Sequence, residues 1–445
     1  MPARDGRDTI AAIATAHGPG GVGIVRLSGP DARRIAQTLC GRRLRVRQAV
    51  HARFHDNNAG TIDDGIVLWF AAPASYTGED VVELQAHGSP VVLAQLLQRC
   101  LQLGARQARP GEFTERAFLE GKLDLAQAEA VADLISAGSQ AAARAARRSL
   151  DGEFSRRVDS LVEQLTQLRM YVEAALDFPD EDIDFLAAPE LGERLRATSE
   201  SLAELMREAG RGKRLMDGLH VVIIGAPNVG KSSLLNALAE EDRAIVSDIA
   251  GTTRDLLRET LDLEGVLLTL VDTAGLRDAA DSIEAEGIRR ARAELQRADV
   301  VLAVLDNDDS AGLPAHLSRE IPDGARVLWL RNKADLRPRE SDVVQIDHFD
   351  VSARTSFGLD SLRTRLRELA GGEGGGSFSA RARHLEALSQ AALCLARASA
   401  CLDSNQAELA AEELRQAQLA LGEITGVMDA DTLLGRIFSG FCIGK

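Results

Sequence analysis

Gly225-Ala226-Pro227-Asn228-Val229-Gly230-Lys231-Ser232 follows the apolar run Val221-Val222-Ile223-Ile224 and precedes Leu234-Leu235-Asn236-Ala237-Leu238. A strand, a glycine-bounded loop and a helix in that order make the GxxxxGK[ST] phosphate loop. Its two glycines permit a tight turn, so backbone N–H groups and the following helix N-terminus can surround phosphate oxygens. Asn228, Val229 and Gly230 then form the loop. Lys231 reaches the β- and γ-phosphates, and the Ser232 hydroxyl, with Ser233 beside it, is suited to Mg²⁺.

Further motifs follow in the order such a site requires. Asp272-Thr273-Ala274-Gly275 ends the apolar run Val266 to Val271. A carboxylate there holds the metal directly or through water, and a glycine presents its N–H to the γ-phosphate. Asn332-Lys333-Ala334-Asp335 follows Val327 to Leu330. The Asp335 carboxylate can accept from both the N1–H and the amino group of guanine, a pair of donors that adenine lacks. Ser352-Ala353-Arg354, after Asp350-Val351, supplies a backbone N–H for the base oxygen. Together these predict an α/β P-loop GTPase domain with GTP as its substrate, similar to the translation-factor class of GTPases.

One position departs from that pattern. Many small GTPases place a water-orienting glutamine directly after the DTAG motif; here it is Leu276, which cannot polarise water. Either hydrolysis is slow unaided or another group acts, and Asp278, Asp281, Glu284 and Glu286 lie in the following segment. The stretch Ser247-Asp248-Ile249-Ala250-Gly251-Thr252-Thr253-Arg254-Asp255 holds hydroxyls suited to metal and γ-phosphate, and spacing alone does not choose among them.

Outward from this module the texture changes. Residues 1–119 mix short strand-like runs (Ile66 to Phe70, Val81 to Gln85) with a helical stretch over Val91 to Leu103, an α+β module. Residues 120–215 read as alanine- and leucine-rich helices, with Phe154, Val158, Leu161, Leu165, Leu168 and Val172 on one face. The β/α alternation occupies 216–375 and ends in a flexible glycine run, Gly371 to Gly376. Helical texture resumes over 376–445, where Leu385, Leu388, Ala392, Leu395 and Leu402 share a face, as do Ala407, Ala410, Leu414, Ala417 and Leu421. The later helices need a partner for their apolar stripe, so the β/α module reads as an insertion into one all-α domain.

Composition limits the function classes. The chain has 445 residues, 45% hydrophobic and 27% charged, with a formal net charge of −15. That charge argues against gripping nucleic acid by bulk attraction, and 4% aromatic content argues against a base-stacking single-strand binder. Five scattered cysteines without a CxxC pair read as reduced thiols rather than a disulfide or zinc framework. No uncharged apolar run is long enough to span a membrane, and Asp5 and Asp8 before Ile10 are unlike the basic leader of a signal peptide. A cytoplasmic protein is expected. The acidic stretch Asp177 to Asp184 reads as a solvated interhelix loop. The basic runs Arg42-Arg43-Leu44-Arg45-Val46-Arg47 and Arg211-Gly212-Lys213-Arg214 read as exposed turns that can also touch phosphates.

The flanking motifs carry a resemblance. Gly20 to Gly29 (GGVGIVRLSG), Tyr76-Thr77-Gly78-Glu79-Asp80, Arg109 to Thr114 (RPGEFT), Gly121 to Leu125 (GKLDL) and terminal Cys442-Ile443-Gly444-Lys445 resemble the MnmE (TrmE) family of tRNA modification GTPases over essentially the whole chain. The resemblance implies a homodimer formed through the N-terminal domain. It implies a 5-formyltetrahydrofolate (or related one-carbon folate) site at Arg26, Glu83, Lys122 and Lys445. A flavoprotein partner of the MnmG type, carrying FAD, is implied, with tRNA as the substrate modified at C5 of its wobble uridine. It also implies K⁺ stimulation, with Asn228, Ser247, Ile249 and Thr252 at the potassium site, Ser232 and Thr253 as Mg²⁺ ligands, and Glu284 as catalytic glutamate. On that reading Asp248, Ala250 and Gly251 complete the nucleotide-facing loop. Cys442 is either a functional thiol or part of a plain structural tail. A ribosome-assembly or signalling GTPase is the competing expectation.

Overall fold

Val221, Val222, Ile223 and Ile224 are each fully buried, as a continuous apolar run is when both faces of a parallel sheet are covered. The computed structural model describes residues 8–177, 189–226, 228–239, 258–263, 266–272, 293–305, 321–322, 325–336, 347–369, 378–426, 437–438, 441–442 and 444. Contacts divide the chain into one unit of Met1–Ala132 with Gly422–Lys445 and another of Asp133–Leu421.

In the first unit, β1 (Ile10–Ile13), β2 (Gly20–Ser28), β3 (Val50–His55), β4 (Thr61–Phe70), β5 (Val81–Gly88) and β6 (Arg106–Gln107) form one sheet, ordered β3-β4-β5-β2-β1-β6. Neighbours are antiparallel except β1 and β6. The strand expected from Ile66 begins earlier, at Thr61, because polar Thr61 to Asp64 pair along β3. Helices α1 (Ala32–Cys40) and α2 (Pro90–Gln102) cover one face. Pro90 suits the start of α2, where its missing N–H would have no helical partner. Alternate residues Val25, Leu27, Val67, Trp69, Val82 and Leu84 pack with Ile35, Leu39, Leu93 and Leu96. On the opposite face, Ile10, Ala12 and Ala108 pack with Phe113 of α3 (Glu112–Leu119), and Arg26 and Glu83 pair beyond them. The helix α4 (Leu125–Ser136) buries Leu125 and Ala128 against Phe438 and Phe441.

The second unit opens with α5 (Gln140–Leu150), α6 (Glu153–Asp177) and α7 (Pro189–Asp217). Every expected apolar position of α6 is buried, from Phe154 to Val172. From α7 the chain passes through Gly218 into β7 (Leu219–Gly225), α8 (Lys231–Ala239), β8 (Arg258–Leu263), β9 (Val266–Asp272), β10 (Val300–Leu305), β11 (Arg326–Arg331), β12 (His348–Asp350) and α9 (Leu359–Leu369). The sheet order is β12-β11-β10-β7-β9-β8, parallel except for β8.

The chain then returns to the helices it left. Phe378 stacks on Phe154 of α6 with 4.7 Å between ring centroids. The Ser379 N–H donates to Ser149 Oγ at 2.8 Å, and the Ser149 hydroxyl donates to the Ser379 carbonyl at 3.0 Å. Asp133 accepts from the Ser379 hydroxyl at 3.0 Å and from Arg381 at 2.6 Å. Helices α10 (Ala382–Asp403) and α11 (Ala407–Thr425) follow. The α/β domain is thus inserted into the helical one, and an α+β domain precedes both in the chain. The α11 face is buried as expected. The α10 face is rotated from the expected one: His384, Ala387, Leu388, Ala391, Cys394, Leu395 and Ala398 are buried, whereas Leu385, Ala392 and Leu402 are only half-buried. Leu388 and Leu395 stay at the centre of the buried line, and Ala387, Ala391, Cys394 and Ala398 join them in place of the other expected positions. Among the described residues α10 is the one helix whose length and composition would allow it to cross a membrane.

Candidate functional site

Parallel pairing brings the motif-bearing strand ends to one edge of the sheet. Gly225 of β7 stands beside Val304 of β10, Asp272 of β9 beside Ile223, and Leu305 beside Arg331 of β11, which pairs in turn with Asp350 of β12. In open α/β sheets ligands bind outside such carboxyl ends.

Lys231, the first residue of α8, is buried, and its Nζ donates to the carbonyls of Gly225 at 3.1 Å and Ala226 at 2.9 Å. The ammonium therefore closes the loop from one end to the other. Asn228 adopts a left-handed backbone, φ 64°, and Gly230 has φ 94°. A Cβ on Gly230 would stand 2.3 Å from Asn332 Nδ2, so the close approach of Asn332 requires glycine here.

Asn332 joins three motifs. Its Nδ2 donates to the Val229 carbonyl at 2.8 Å, and its Oδ1 accepts from the Ala353 N–H at 3.3 Å. The buried Ser352 hydroxyl donates to Asp335 Oδ1 at 2.7 Å. The Ala334 N–H donates to the Val351 carbonyl at 3.1 Å, and Lys333 bends the chain with φ 63°. Asp335 and Arg354 are exposed. The phosphate loop, Asn332–Asp335 and Ser352–Arg354 therefore form one hydrogen-bonded edge, with an exposed carboxylate held by a buried serine.

Of the remaining expected nucleotide and metal residues, Ser232 and Ser233 are exposed on the first turn of α8. Ser247, Asp248, Ile249, Ala250, Gly251, Thr252 and Thr253, and likewise Thr273, Ala274, Gly275, Leu276, Asp278, Asp281, Glu284, Glu286 and Lys445, lie outside the described residues. For Asp272 the backbone position alone is described. Among the described residues no cluster of three or more His, Cys, Asp or Glu is arranged to hold a metal; hydroxyls and a phosphate-bearing ligand fit Mg²⁺ at Ser232 better than an all-protein cage does.

A second polar site lies on the N-terminal sheet. Arg26 and Glu83 face each other across β2 and β5, with Arg26 Nη2 donating to Glu83 Oε1 at 3.0 Å. The Tyr76 and Phe113 rings each flank the guanidinium, with centroids 5.8 Å from its Cζ. Burial pushes the Tyr76 hydroxyl above its usual range, although the bond to Thr114 and the Arg26 charge oppose it. Lys122 is exposed, and its Cε would lie 3.4 Å from a Cβ on Gly78, which places it beside the Tyr76–Asp80 loop. The tail closes on the same unit: the Gly111 N–H donates to the Cys442 carbonyl at 3.4 Å, and a Cβ on Gly444 would meet the Ile13 carbonyl at 2.2 Å. The Cys442 side chain is exposed.

Sequence reasoning missed an ion network centred on the buried Arg116 and Glu112. Arg116 binds Glu79 at 3.0 Å, Asp8 at 2.8 Å and Glu112 at 3.1 Å, and Arg106 binds Glu112 at 2.6 Å. Burial works against the Glu112 carboxylate, but Arg106, the Arg109 N–H and Arg116 outweigh it and hold its pKa at about 2. The signal was present in the RPGEFT stretch, since glutamate two residues after proline sits in the first turn of α3 and faces the backbone donors there.

A phosphate loop at the centre of a parallel sheet, joined by hydrogen bonds to a base-side carboxylate loop, defines a P-loop GTPase. The family model described as "MnmE helical domain" matches residues 125–442, and that described as "GTP-binding protein TrmE N-terminus" matches 9–122. The chain is 60% identical to the tRNA modification GTPase MnmE of Xanthomonas campestris pv. campestris (strain B100), covering 98% of this chain and 99% of that protein. It is 55% identical to the MnmE of Xylella fastidiosa, covering 98% of each. Among solved structures, a point variant of Aquifex aeolicus Era bound to GDP.AlF4- aligns at 26% identity over 39% of this chain and 65% of that one, with a TM-score of 0.28. This chain belongs to the MnmE (TrmE) family of tRNA modification GTPases.

Proposed function

We propose that this chain is a potassium-stimulated GTP hydrolase of the cytoplasm. With an FAD-bearing, MnmG-type partner it installs aminomethyl or carboxymethylaminomethyl groups at C5 of the wobble uridine of certain tRNAs. The observation that carries the nucleotide part is the bonding of Asn332 to both Val229 and Ala353, which ties phosphate side to base side. The family membership carries the tRNA part.

In this reading Lys231 exchanges the Gly225 and Ala226 carbonyls for phosphate oxygens, and Asp335 selects guanine while Ser352 holds it in place. Ser232 and Thr253 hold Mg²⁺; Asn228, Ser247, Ile249 and Thr252 hold K⁺. Both cations offset negative charge that builds on the phosphates during cleavage. Glu284 orients the attacking water, the role that Leu276 cannot fill. Arg26, Glu83, Lys122 and Lys445 hold the folate on the N-terminal domain, which also forms the homodimer. The Arg26–Glu83 pair suits a ligand with both hydrogen-bond donors and acceptors, and the flanking Tyr76 and Phe113 rings suit a planar one. Cys442 acts as a thiol at the same domain.

Calorimetry against GTP and ATP, turnover in KCl against NaCl, and mass spectrometry of tRNA from cells lacking the gene test the reading together. Guanine preference, K⁺-dependent turnover and loss of the C5 wobble modification are expected. Intact tRNA with defective ribosomes would overturn it in favour of an assembly switch.

A further inference from the structure

Residues 32–55 contain seven arginines and two histidines without a single Asp or Glu, in a chain of net charge −15. The span is anchored on either side of its arginine run, and Arg34 pairs with Asp31, just before it, at 2.8 Å. Leu44 is buried in the sheet–helix core, the Arg47 N–H donates to the Trp69 carbonyl at 2.8 Å, and Arg47 Nη2 donates to the Ala74 carbonyl at 2.7 Å. The Arg33 guanidinium lies 4.1 Å from the Trp69 ring centroid. Between these anchors Arg42, Arg43 and Arg45 are exposed, and among the described residues their side chains form no ion pair or hydrogen bond.

Arg33 adds a second observation. It lines an open groove of about 580 Å³ on the outer side of α1, with Pro30, Arg34, Gln37, Thr38 and Asp80. Its Nε is buried and has no hydrogen-bond partner among the described residues; Asp80 Oδ1 accepts instead from the Ala72 N–H at 2.9 Å. A buried donor left without an acceptor is costly, and arginines gathered in excess of counter-ions repel. An anion supplying several acceptors in succession relieves that repulsion at the exposed guanidinium groups.

We propose that the surface from Arg33 to Arg47 docks the phosphodiester backbone of an RNA substrate. Guanidinium forks match phosphate oxygens two at a time, and an acidic chain repels a polyanion elsewhere, so this patch fixes where the RNA lies. No exposed ring stands in the run Arg42 to Arg47, so the contact is to backbone and not to bases. The proposal rests on the tRNA-modification reading and adds the place of contact.

The test is fluorescence anisotropy of the full-length chain with a labelled tRNA transcript over a series of salt concentrations. The variant is Arg42→Ala/Arg43→Ala/Arg45→Ala, and the control is Arg211→Ala/Arg214→Ala on the other basic run. Each lost phosphate contact lowers the log–log salt slope by about 0.7–0.9. The triple variant should lose about two units of slope and bind about tenfold more weakly, with GTP turnover unchanged; the control should bind as the parent does. A triple variant with the parent's slope, or a control with the same loss, overturns the proposal. So does a patch-dependent attachment to phosphatidylglycerol vesicles with no tRNA binding. If the parent chain modifies tRNA in the complete reaction while the triple variant binds normally, the surface is wrong and the function stands. If slope is lost as expected but wobble C5 modification is intact in cells lacking the gene, the surface stands and the function is wrong.

Discussion

The amide nitrogen of Asn332 donates to the carbonyl of Val229, 103 positions earlier in the chain, at 2.8 Å. That bond crosses from the end of β11 to the phosphate loop after β7 and fixes the distance between the two halves of the nucleotide site. Because Asn332 Oδ1 also accepts from Ala353, one buried side chain sets the position of three separate loops.

Replacing Asn332 by alanine leaves the Val229 carbonyl and the Ala353 N–H without their partner. Unpaired buried groups of this kind cost roughly 1–3 kcal/mol. GDP and GTP affinities should fall by about tenfold to a hundredfold in calorimetry, with the melting temperature of the helical domain unchanged. Gly230→Ala should act on the same tether, since its Cβ would stand 2.3 Å from Asn332 Nδ2; affinity equal to the parent's would show that the loop moves independently of Asn332.

Asp335→Asn converts a pure acceptor into a group with both acceptor and donors. The Ser352 hydroxyl can still donate to the amide oxygen, so the loop keeps its shape. Guanine loses an acceptor for its N1–H and amino protons, and GTP binding should weaken on the order of 10³-fold. Xanthosine triphosphate, which carries a carbonyl where guanine carries the amino group, should bind better than GTP. Competition against a fluorescent nucleotide reads both, and an unaltered GTP preference would remove Asp335 from base recognition.

The motifs that touch nucleotide are legible in sequence because each is short, local and strand-bounded. Gly230 and Lys231 announce themselves in this way, and so does the α6 face from Phe154 to Val172, whose period is unbroken. What sequence does not reveal is the partner across space. Asn332 reads only as the first residue of the guanine-recognising motif, and nothing local points to Val229. Glu79 and Glu112 read only as members of short motifs, yet with Arg116 they sit in an ion network that also draws in Asp8 and Arg106. The α10 face keeps Leu388 and Leu395 but turns towards Ala387, Ala391, Cys394 and Ala398, small residues that a count of large apolar side chains passes over.

Glu112 gives the N-terminal domain an acid-sensitive term. Its carboxyl has a usual value of 4.5 and is held at about 2 in the fold. A depressed carboxylate pKa contributes stability that is complete above the unfolded value and is lost as pH falls from about 4.5 towards 2. Glu112→Gln removes that contribution, about 3 kcal/mol for a shift of this size, and leaves Arg106 and Arg116 short of a counter-charge. Urea titrations of the full chain at pH 7 should show a weaker N-terminal transition in the variant. The two curves should converge near pH 2, and a difference that persists there would show that packing and not charge sets the effect.

Phe378 marks where the chain re-enters the helical domain after the GTPase module. It is fully buried and stacks on Phe154 at 4.7 Å with planes 20° apart, and the next residue is held by Ser149 and Asp133. Phe378→Ala leaves a cavity beside Phe154 and should cost roughly 3–5 kcal/mol. The loss falls on the helices, because no nucleotide-site bond passes through this ring. Calorimetric unfolding should therefore show the helical transition moving to lower temperature, while the GDP dissociation constant stays within about twofold. If nucleotide affinity fell together with helical stability, the two domains would be unfolding as one unit, and the anchor at Phe378 would be carrying strain from the α/β sheet rather than closing the helical core alone.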